Sequence, residues 1–297
     1  MSISLMLLPD FGLILFGYLL RRLDYFSGEF WLGLEKFIYF VLFPPLLFRA
    51  LAAQPIDLAA SGPMLLAGVG FTLAGLAAGY LVRPLSPLNQ VSFASGIQST
   101  FRFNSYIGFA VIGSIDGQQG IATIALLCGA MIPLVNVIAV SMLARHSESG
   151  IWRELASNPL ILGILAGMSC QWAAAPPPKI LLQAIGPLAD AALPLGLMAV
   201  GAGLQFAQWR RNPWLIAYWS CVKLLLVPLA AWWLCEWLAL DGVSRRAALV
   251  MATLPAATSS YILAVRMGGD GQLAAALVTS TTLAAMLTIP WWLSWPI

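Results

Sequence analysis

Ten stretches of this chain are almost continuously apolar, and each is close in length to the roughly 20-residue helix that crosses a lipid bilayer. Of all residues, 60% are hydrophobic and only 9% are charged, whereas an ordinary soluble domain carries roughly 25% charged residues. A membrane β-barrel would show short segments of alternating polarity, and these runs are long and uninterrupted. The sequence therefore predicts an all-α polytopic membrane protein with almost no soluble part.

The ten predicted transmembrane helices divide into two sets of five. The longest polar connection, residues 146–156, lies at the centre of the chain. We interpret it as a cytoplasmic connector between a first half, residues 1–145, and a second half, residues 157–297. The predicted spans cover residues 4–20, 33–53, 62–82, 89–113, 120–143, 157–174, 180–206, 213–238, 244–266 and 270–295.

The positions of the basic residues predict how the chain is oriented in the membrane. If the N-terminus lies outside, most Lys and Arg residues of the loops fall on the cytoplasmic side, as the positive-inside rule requires. We therefore expect a protein of the cell inner membrane with both termini on the outer, periplasmic side. The first four residues contain no basic region, so we expect no cleaved signal peptide. The net charge of +3 is spread over the loops and indicates contact with the lipid bilayer, not with nucleic acid.

Two short motifs occur once in each half. Ser-Tyr-Ile occupies residues 105–107 and 260–262, and Asp-Gly-Gln occupies residues 116–118 and 270–272. Because five is an odd number, the two halves would enter the membrane from opposite sides, and homologous halves would then form an inverted repeat. A polar interruption in corresponding spans of the two halves is the best sequence indication of a transporter's binding site.

The first interruption lies in the fourth span, whose centre holds Gln98, Arg102, Asn104 and Ser105. An arginine at the bilayer centre costs about 2.5–3.5 kcal/mol, so Arg102 must face protein or a wet cavity. Its guanidinium could bind a substrate carboxylate, or it could form an internal ion pair with Asp190 or Asp10. Asn104 can donate and accept hydrogen bonds, either to a substrate oxygen or to the interrupted backbone.

The second interruption lies in the ninth span, where Pro255 removes a backbone donor and clashes with the preceding turn. Hydroxyl groups that follow it can cap a new half-helix, whose N-terminal N–H groups suit a carboxylate. The alternative is a kinked packing helix with hydroxyls bonded to their own backbone. Taken together, the candidate substrate-binding residues are Gln98, Arg102, Asn104, Ser105, Pro255, Thr258, Ser259 and Ser260.

Charged residues elsewhere in the spans are candidates for ion coupling. Lys223 in the eighth span either couples transport to protons or extends between helices, and Asp10 and Asp190 could relay protons. The one histidine, His146, falls in the connector, and the four cysteines form no CxxC pair. The sequence therefore predicts no metal site and no cofactor.

Three motifs resemble those of bacterial members of the auxin efflux carrier family. Arg-Phe-Asn-Ser-Tyr-Ile-Gly at residues 102–108 resembles the asparagine motif of the family's fourth helix. Leu-Pro-Ala-Ala-Thr-Ser-Ser-Tyr-Ile-Leu-Ala at 254–264, with Met-Gly-Gly-Asp at 267–270, resembles the ninth-helix counterpart, and Phe-Pro-Pro-Leu-Leu-Phe at 43–48 is similar to its second-helix motif. Plant carriers have a proline at both interruptions, but the fourth span here has none near Asn104, so its break must depend on Asn104, Ser105 and packing.

The resemblance covers the whole chain and implies the fold of the bile-acid, arsenite and riboflavin transporter-like superfamily. In that fold helices 1, 2, 6 and 7 form a scaffold, helices 3–5 and 8–10 form a transport domain, and broken helices 4 and 9 cross within it. The resemblance also implies an elevator-type motion, organic anion substrates and a homodimer.

The leading functional hypothesis is a secondary active transporter or a uniporter of a small organic anion, either an auxin-like monocarboxylate or a dicarboxylate. Two alternatives stay open: a membrane sensor with a transporter fold and no flux, and a sodium-coupled symporter of the related bile-acid type. An intramembrane enzyme would need paired carboxylates, a HExxH helix or a nucleophile with its base, and the spans show none of these. We therefore expect no enzymatic activity.

Overall fold

The computed structural model describes residues 3–53, 61–143, 158–173, 176–205 and 212–295. These residues are helical and contain no β-strand, and the predicted connector at 146–156 lies outside them. The helices are α1 Ile3–Arg22, α2 Gly28–Ala53, α3 Gly62–Leu81, α4 Gln90–Phe101, α5 Ser105–Leu143, α6 Pro159–Trp172, α7 Lys179–Ala202, α8 Pro213–Trp237, α9 Gly242–Thr253, α10 Thr258–Arg266 and α11 Gly271–Leu293.

The prediction of an all-helical membrane protein is confirmed. Within the described ranges, 6 helices are long and apolar enough to cross a membrane, or up to 7 if the bent pair of α9 and α10 is one span. The structure joins the end of the fourth predicted span to the fifth, because α5 runs on through Gly117, where the backbone kinks at φ 57°. The count of ten spans and their inverted-repeat arrangement stay predictions.

Two of the long helices contain a π-helical turn just before proline. In α2 the turn spans Ile38–Leu42 and precedes Pro44, and in α8 it spans Val222–Leu226 and precedes Pro228. Proline cannot donate to the carbonyl four residues back, and in both helices that carbonyl lies on the π-helical turn. Lys223 lies on the second of these turns and is almost fully buried.

The helices pack in two groups. In one, α1 packs against α7, and α2 packs against α6 and α7. In the other, α3, α4, α5, α8, α9, α10 and α11 pack among themselves. The contacts within each group are more extensive than those between the groups, which join α5 to α1, α2, α6 and α7, and α1 to α11.

Glycines bring the backbones of the first group together. Gly163 and Gly167 of α6 lie against the backbone of α2 at Pro44 and Phe48, as the spacing of the two glycines predicts. In α7 a Cβ on Gly201 would overlap the backbone of Ile14 in α1. Since a backbone cannot rotate out of the way, the two helices could accept that Cβ only by separating.

We expect Gly201→Ala to destabilise the protein, because forcing an extra carbon into a close-packed contact costs about 1–3 kcal/mol or more. The same change at Gly186 is the matched control, since Gly186 lies on the same helix with open space around its Cβ position. Gly186→Ala should raise stability slightly through higher helix propensity. Melting temperatures in detergent check both, and equal values for the two variants would contradict the close contact between α1 and α7.

The two Asp-Gly-Gln motifs have different roles. Asp116 forms a two-pronged ion pair with Arg246 of α9, with oxygens 2.7 and 2.8 Å from Nη2 and Nε. Asp270 instead caps α11 by accepting from the N–H of Leu273 at 3.0 Å, and its own N–H donates to Ser95 of α4 at 2.9 Å. Each motif thus ties its loop to a helix of the other half of the chain, by an ion pair in one case and by a hydroxyl in the other.

Asp116→Asn should destabilise the protein by more than the roughly 1 kcal/mol of an exposed ion pair, because the Asp116 side chain is only 11% exposed. The loss should stay below the 3–5 kcal/mol of a fully buried pair, because the charge left behind, that of Arg246, is 27% exposed. The double variant Asp116→Asn with Arg246→Met should recover part of that loss. A double-mutant cycle of unfolding free energies measures this, and strict additivity would show that the two side chains do not interact.

Candidate functional site

The two predicted helix breaks are present, and they contact each other. The α4 helix ends at Phe101 and α5 begins at Ser105, while α9 ends at Thr253 and α10 begins at Thr258. The backbone N–H of Asn104 in the first break donates to the carbonyl of Pro255 in the second, at 2.9 Å. The α9–α10 pair is bent by 50°. Four helix ends therefore lie close to one point inside the protein.

The first break forms without proline because Asn104 caps the helix that follows. Its Oδ1 accepts from the N–H groups of Tyr106 and Ile107, at 3.1 and 3.4 Å. Two of the N–H groups that a helix start leaves free are thereby satisfied. Asn104 was expected either to bind substrate or to tie the backbone together, and its oxygen does the second.

The second break follows from Pro255, as predicted, but α10 starts without a side-chain cap. Residue Ala257 precedes the helix and offers no side-chain acceptor. The extended segment is held instead from α11, where Thr281 Oγ1 accepts from the N–H of Ala256 at 3.1 Å. The start of α10 therefore keeps N–H groups and a partial positive charge available to an anion.

A cavity of about 470 Å³ lies at the two breaks, within the size range of small-molecule sites. Five of the candidate site residues line it, namely Arg102, Asn104, Ser105, Thr258 and Ser259. The other walls come from α2, the distal part of α5 and α6. The structure therefore brings together residues from both motifs that the sequence analysis singled out.

Arg102 has more unpaired buried hydrogen-bond donors than any other described residue that lines this cavity. The residue is only 6% exposed, and its Nη2 donates to Ser259 Oγ at 2.9 Å. Its Nε and Nη1 have no partner among the described residues, and neither has Nδ2 of Asn104. Buried donors normally have acceptors. Three unpaired donors beside a cavity therefore favour a ligand that supplies acceptor oxygens.

The ion-pair hypothesis for Arg102 is wrong, because both proposed partners bind elsewhere. Asp190 accepts from Arg49 at 2.7 Å. Asp10 accepts from Ser114 at 3.2 Å and so links α1 to α5. Both aspartates lie outside the cavity lining.

Four other sequence candidates also lie away from the cavity. Gln98 is fully buried and bonds its own helix through Ala94 O at 3.3 Å, and Ser260 is 2% exposed on the inner side of α10. Lys223 is buried in the π-turn of α8, and no carboxylate among the described residues pairs with it. Pro255 contributes its carbonyl to the join between the breaks and does not line the cavity.

The sequence analysis missed the charged residues that α2 and α10 contribute to the cavity. Glu35, Lys36 and Arg266 all line it, and Glu35 accepts a hydrogen bond from Thr258 Oγ1 at 3.3 Å. The available signal was the position of Glu35 inside the span predicted at 33–53, since an ionisable residue within a span suggests function by default. Because Glu35 lies near the end of the predicted span, this signal was overlooked. The helix in fact begins at Gly28, so Glu35 lies about two turns inside it.

Comparison with known proteins agrees with a transport function. The family profile described as "Membrane transport protein" matches residues 142–293. A "Putative malonate transporter" of Rhizobium meliloti (strain 1021) is 28% identical, covering 97% of this chain and 94% of its own. An "Uncharacterized transporter" of Methanothermobacter thermautotrophicus is 23% identical over 94% of both chains. The chain therefore belongs to this membrane transport family, the auxin efflux carriers that its motifs resemble, whose members are multi-pass membrane transporters and not enzymes.

Proposed function

We propose that the protein is a secondary transporter or uniporter that moves a small organic anion, with a dicarboxylate such as malonate as the first candidate, across the inner membrane. The observation that carries the proposal is the pair of unpartnered Arg102 nitrogens at the cavity. A guanidinium fork matches the two oxygens of a carboxylate. The exposed start of α10 and the amide of Asn104 add further donors for the same group.

The charge of the cavity favours a dianion over a monoanion. Three cationic side chains line it, those of Lys36, Arg102 and Arg266, against the single carboxylate of Glu35. A dicarboxylate can place one carboxylate on Arg102 and direct the other toward Lys36 or Arg266. The name of the Rhizobium meliloti relative points to the same class of substrate.

The packing of the helices supports alternating access by an elevator-type motion. The cavity takes Leu32, Glu35 and Tyr39 from α2, which belongs to the first helix group. Its anion-binding residues come from the two breaks, which belong to the second group. The site therefore lies at the boundary between the two helix groups. If the second group slid along the first, it would carry the site across the membrane. Lys36 and Arg266 line the cavity and belong to the side predicted to be cytoplasmic, so this conformation would be open inward.

The remaining features of the proposal follow the family resemblance. The two halves, residues 1–145 and 157–297, would be inverted repeats that supply helices 1–2 and 6–7 to a scaffold and helices 3–5 and 8–10 to the moving domain. Both termini would lie in the periplasm, and two copies would associate as a homodimer.

Uptake by proteoliposomes tests the proposal. The purified protein is reconstituted, and radiolabelled malonate is offered with succinate, acetate or indole-3-acetate as competitor, with and without a sodium gradient. We expect saturable malonate uptake that succinate inhibits more strongly than the monocarboxylates do. Malonate binding without uptake would contradict transport and favour the sensor, and uptake that requires sodium would favour the symporter of the bile-acid type.

A further inference from the structure

Glu35 occupies a position that the anion site does not explain. It lines the cavity at the helix breaks, and it also lines a second cavity of about 300 Å³ that is bordered by α1, α2, α7, α10 and α11. Leu32, Tyr106, Thr258 and Ile262 line both cavities as well. The carboxylate therefore lies where the two cavities adjoin, half-buried and hydrogen-bonded to the first residue of α10.

Glu35 is the only carboxylate among the described residues that line either cavity. The titratable groups that face it come from several elements. They are Arg21 of α1, Lys36 and Tyr39 of α2, Arg102 in the first break, Tyr106 of α5, and Tyr261 and Arg266 of α10. The lining residues of α6, α7 and α11 add no titratable group.

An organic anion bound in the same cavity would disfavour the ionised form of Glu35. Once a carboxylate occupies Arg102, the charge of Arg102 is neutralised, and a like charge lies in the same cavity as Glu35. Two carboxylates that share a site disfavour each other's ionised forms, and the usual outcome is that one of them takes a proton. Thr258 accommodates either form of Glu35, because a hydroxyl can donate to a carboxylate or accept from a carboxyl group.

We propose that Glu35 is a proton-binding site, which takes up one proton from solvent when an organic anion binds at Arg102 and releases it when the anion leaves, so that the two move together. The inference rests on the proposed anion-transport function and adds the coupling ion to it. Neither Asp10, Asp190 nor Lys223 lines the cavity, so none is positioned to respond directly to the bound anion.

The proposal predicts that malonate binding consumes a proton. Isothermal titration of the purified full-length protein with malonate, in buffers of different ionisation enthalpy, gives the number of protons taken up. At a pH between the pKa values of Glu35 in the free and the malonate-bound protein we expect up to one proton per malonate, and the Kd should rise there by up to about tenfold per pH unit, because one proton is linked to binding. Glu35→Gln imitates the protonated carboxyl, so its binding should consume no proton and should not depend on pH.

The matched control is Glu29→Gln, the same substitution on the same helix at an exposed residue that lines neither cavity. It should behave as the wild type does. Glu35→Asp, which keeps a carboxylate, should still take up a proton when malonate binds. If Glu35→Gln fails to fold, this variant is the test, and malonate binding by it without proton uptake would contradict the role of Glu35.

The outcomes separate the two proposals. Malonate binding with no proton uptake by the wild type, or with equal uptake by Glu35→Gln, would overturn the role of Glu35 and leave the anion site in place. Absence of malonate binding to the wild type at every pH would overturn the proposed function and this inference with it.

Discussion

Arg102→Met is expected to reduce malonate uptake by proteoliposomes at least about thirtyfold while the protein stays folded. Removing a buried charged group that binds an opposite charge costs about 2–5 kcal/mol of binding free energy, and each 1.4 kcal/mol is a factor of ten. Methionine fills much of the same space, so the cavity walls should keep their positions. Initial rates of labelled malonate uptake and the Kd from titration should change together, because the lost interaction is made in the bound state.

The stability of this variant should not fall. A buried guanidinium without a carboxylate partner carries a desolvation cost, and the described structure gives Arg102 only the hydroxyl of Ser259 as acceptor. Methionine removes that cost, so the melting temperature in detergent should be equal to or above that of the wild type. A lower melting temperature would show that the structural role of Arg102 exceeds its role in binding.

Two further variants test whether the paired N–H groups of the Arg102 guanidinium are required for uptake. Arg102→Lys keeps the charge but loses the paired N–H groups, so it should retain weak uptake. Arg22→Met removes an exposed arginine near the end of α1 that lines neither cavity, and it should transport as the wild type does. Wild-type uptake by Arg102→Met would eliminate the cavity at the breaks as the anion site.

The sequence was sufficient to locate the two breaks because each involves a local conflict with helix formation. Pro255 cannot donate its backbone, and the polar group around Arg102 and Asn104 cannot face lipid. Both conflicts can be read from neighbouring residues alone. The contact between the breaks, through the N–H of Asn104 and the carbonyl of Pro255, could be expected only from the resemblance to a family with crossing helices.

The sequence does not show which face of a helix points toward the cavity. Gln98 and Ser260 were included for their polarity and their places in the motifs, but the helix rotation turns both toward the protein interior and away from the cavity. The ion-pair partners proposed for Arg102 were wrong for a related reason. Several carboxylates that are distant in the sequence could balance the charge of Arg102, and the sequence does not show which of them lies close to it. Only packing shows that Asp190 lies beside Arg49 and Asp10 beside Ser114.

The two breaks are similar in position but not in chemistry. Asn104 uses its side-chain oxygen to cap α5, whereas α10 starts without a side-chain cap at Ala257. One helix start is therefore already satisfied, and the other has N–H groups left for a ligand. This difference supports placing the substrate carboxylate between Arg102 and the start of α10, with the amide nitrogen of Asn104 at its edge.

Asn104→Asp tests that placement because it separates the structural role of the residue from its role in binding. Asp and Asn are about equally good helix N-caps, so the oxygen that accepts from Tyr106 and Ile107 is kept. The substitution removes the unpaired Nδ2 donor and puts a negative charge two residues from Arg102. We expect a wild-type melting temperature and a loss of malonate binding of at least about thirtyfold, since a like charge beside the anion adds to the lost donor.

Asn104→Ala should show the opposite pattern. It removes the cap, which costs about 0.5–2 kcal/mol of stability, but it introduces no charge, so malonate uptake should fall less than in Asn104→Asp. Melting temperatures and uptake rates of the two variants, measured side by side, check the contrast. If Asn104→Asp transports malonate better than Asn104→Ala, the donor and the charge at this residue do not act on the substrate, and the anion must bind on the other side of Arg102.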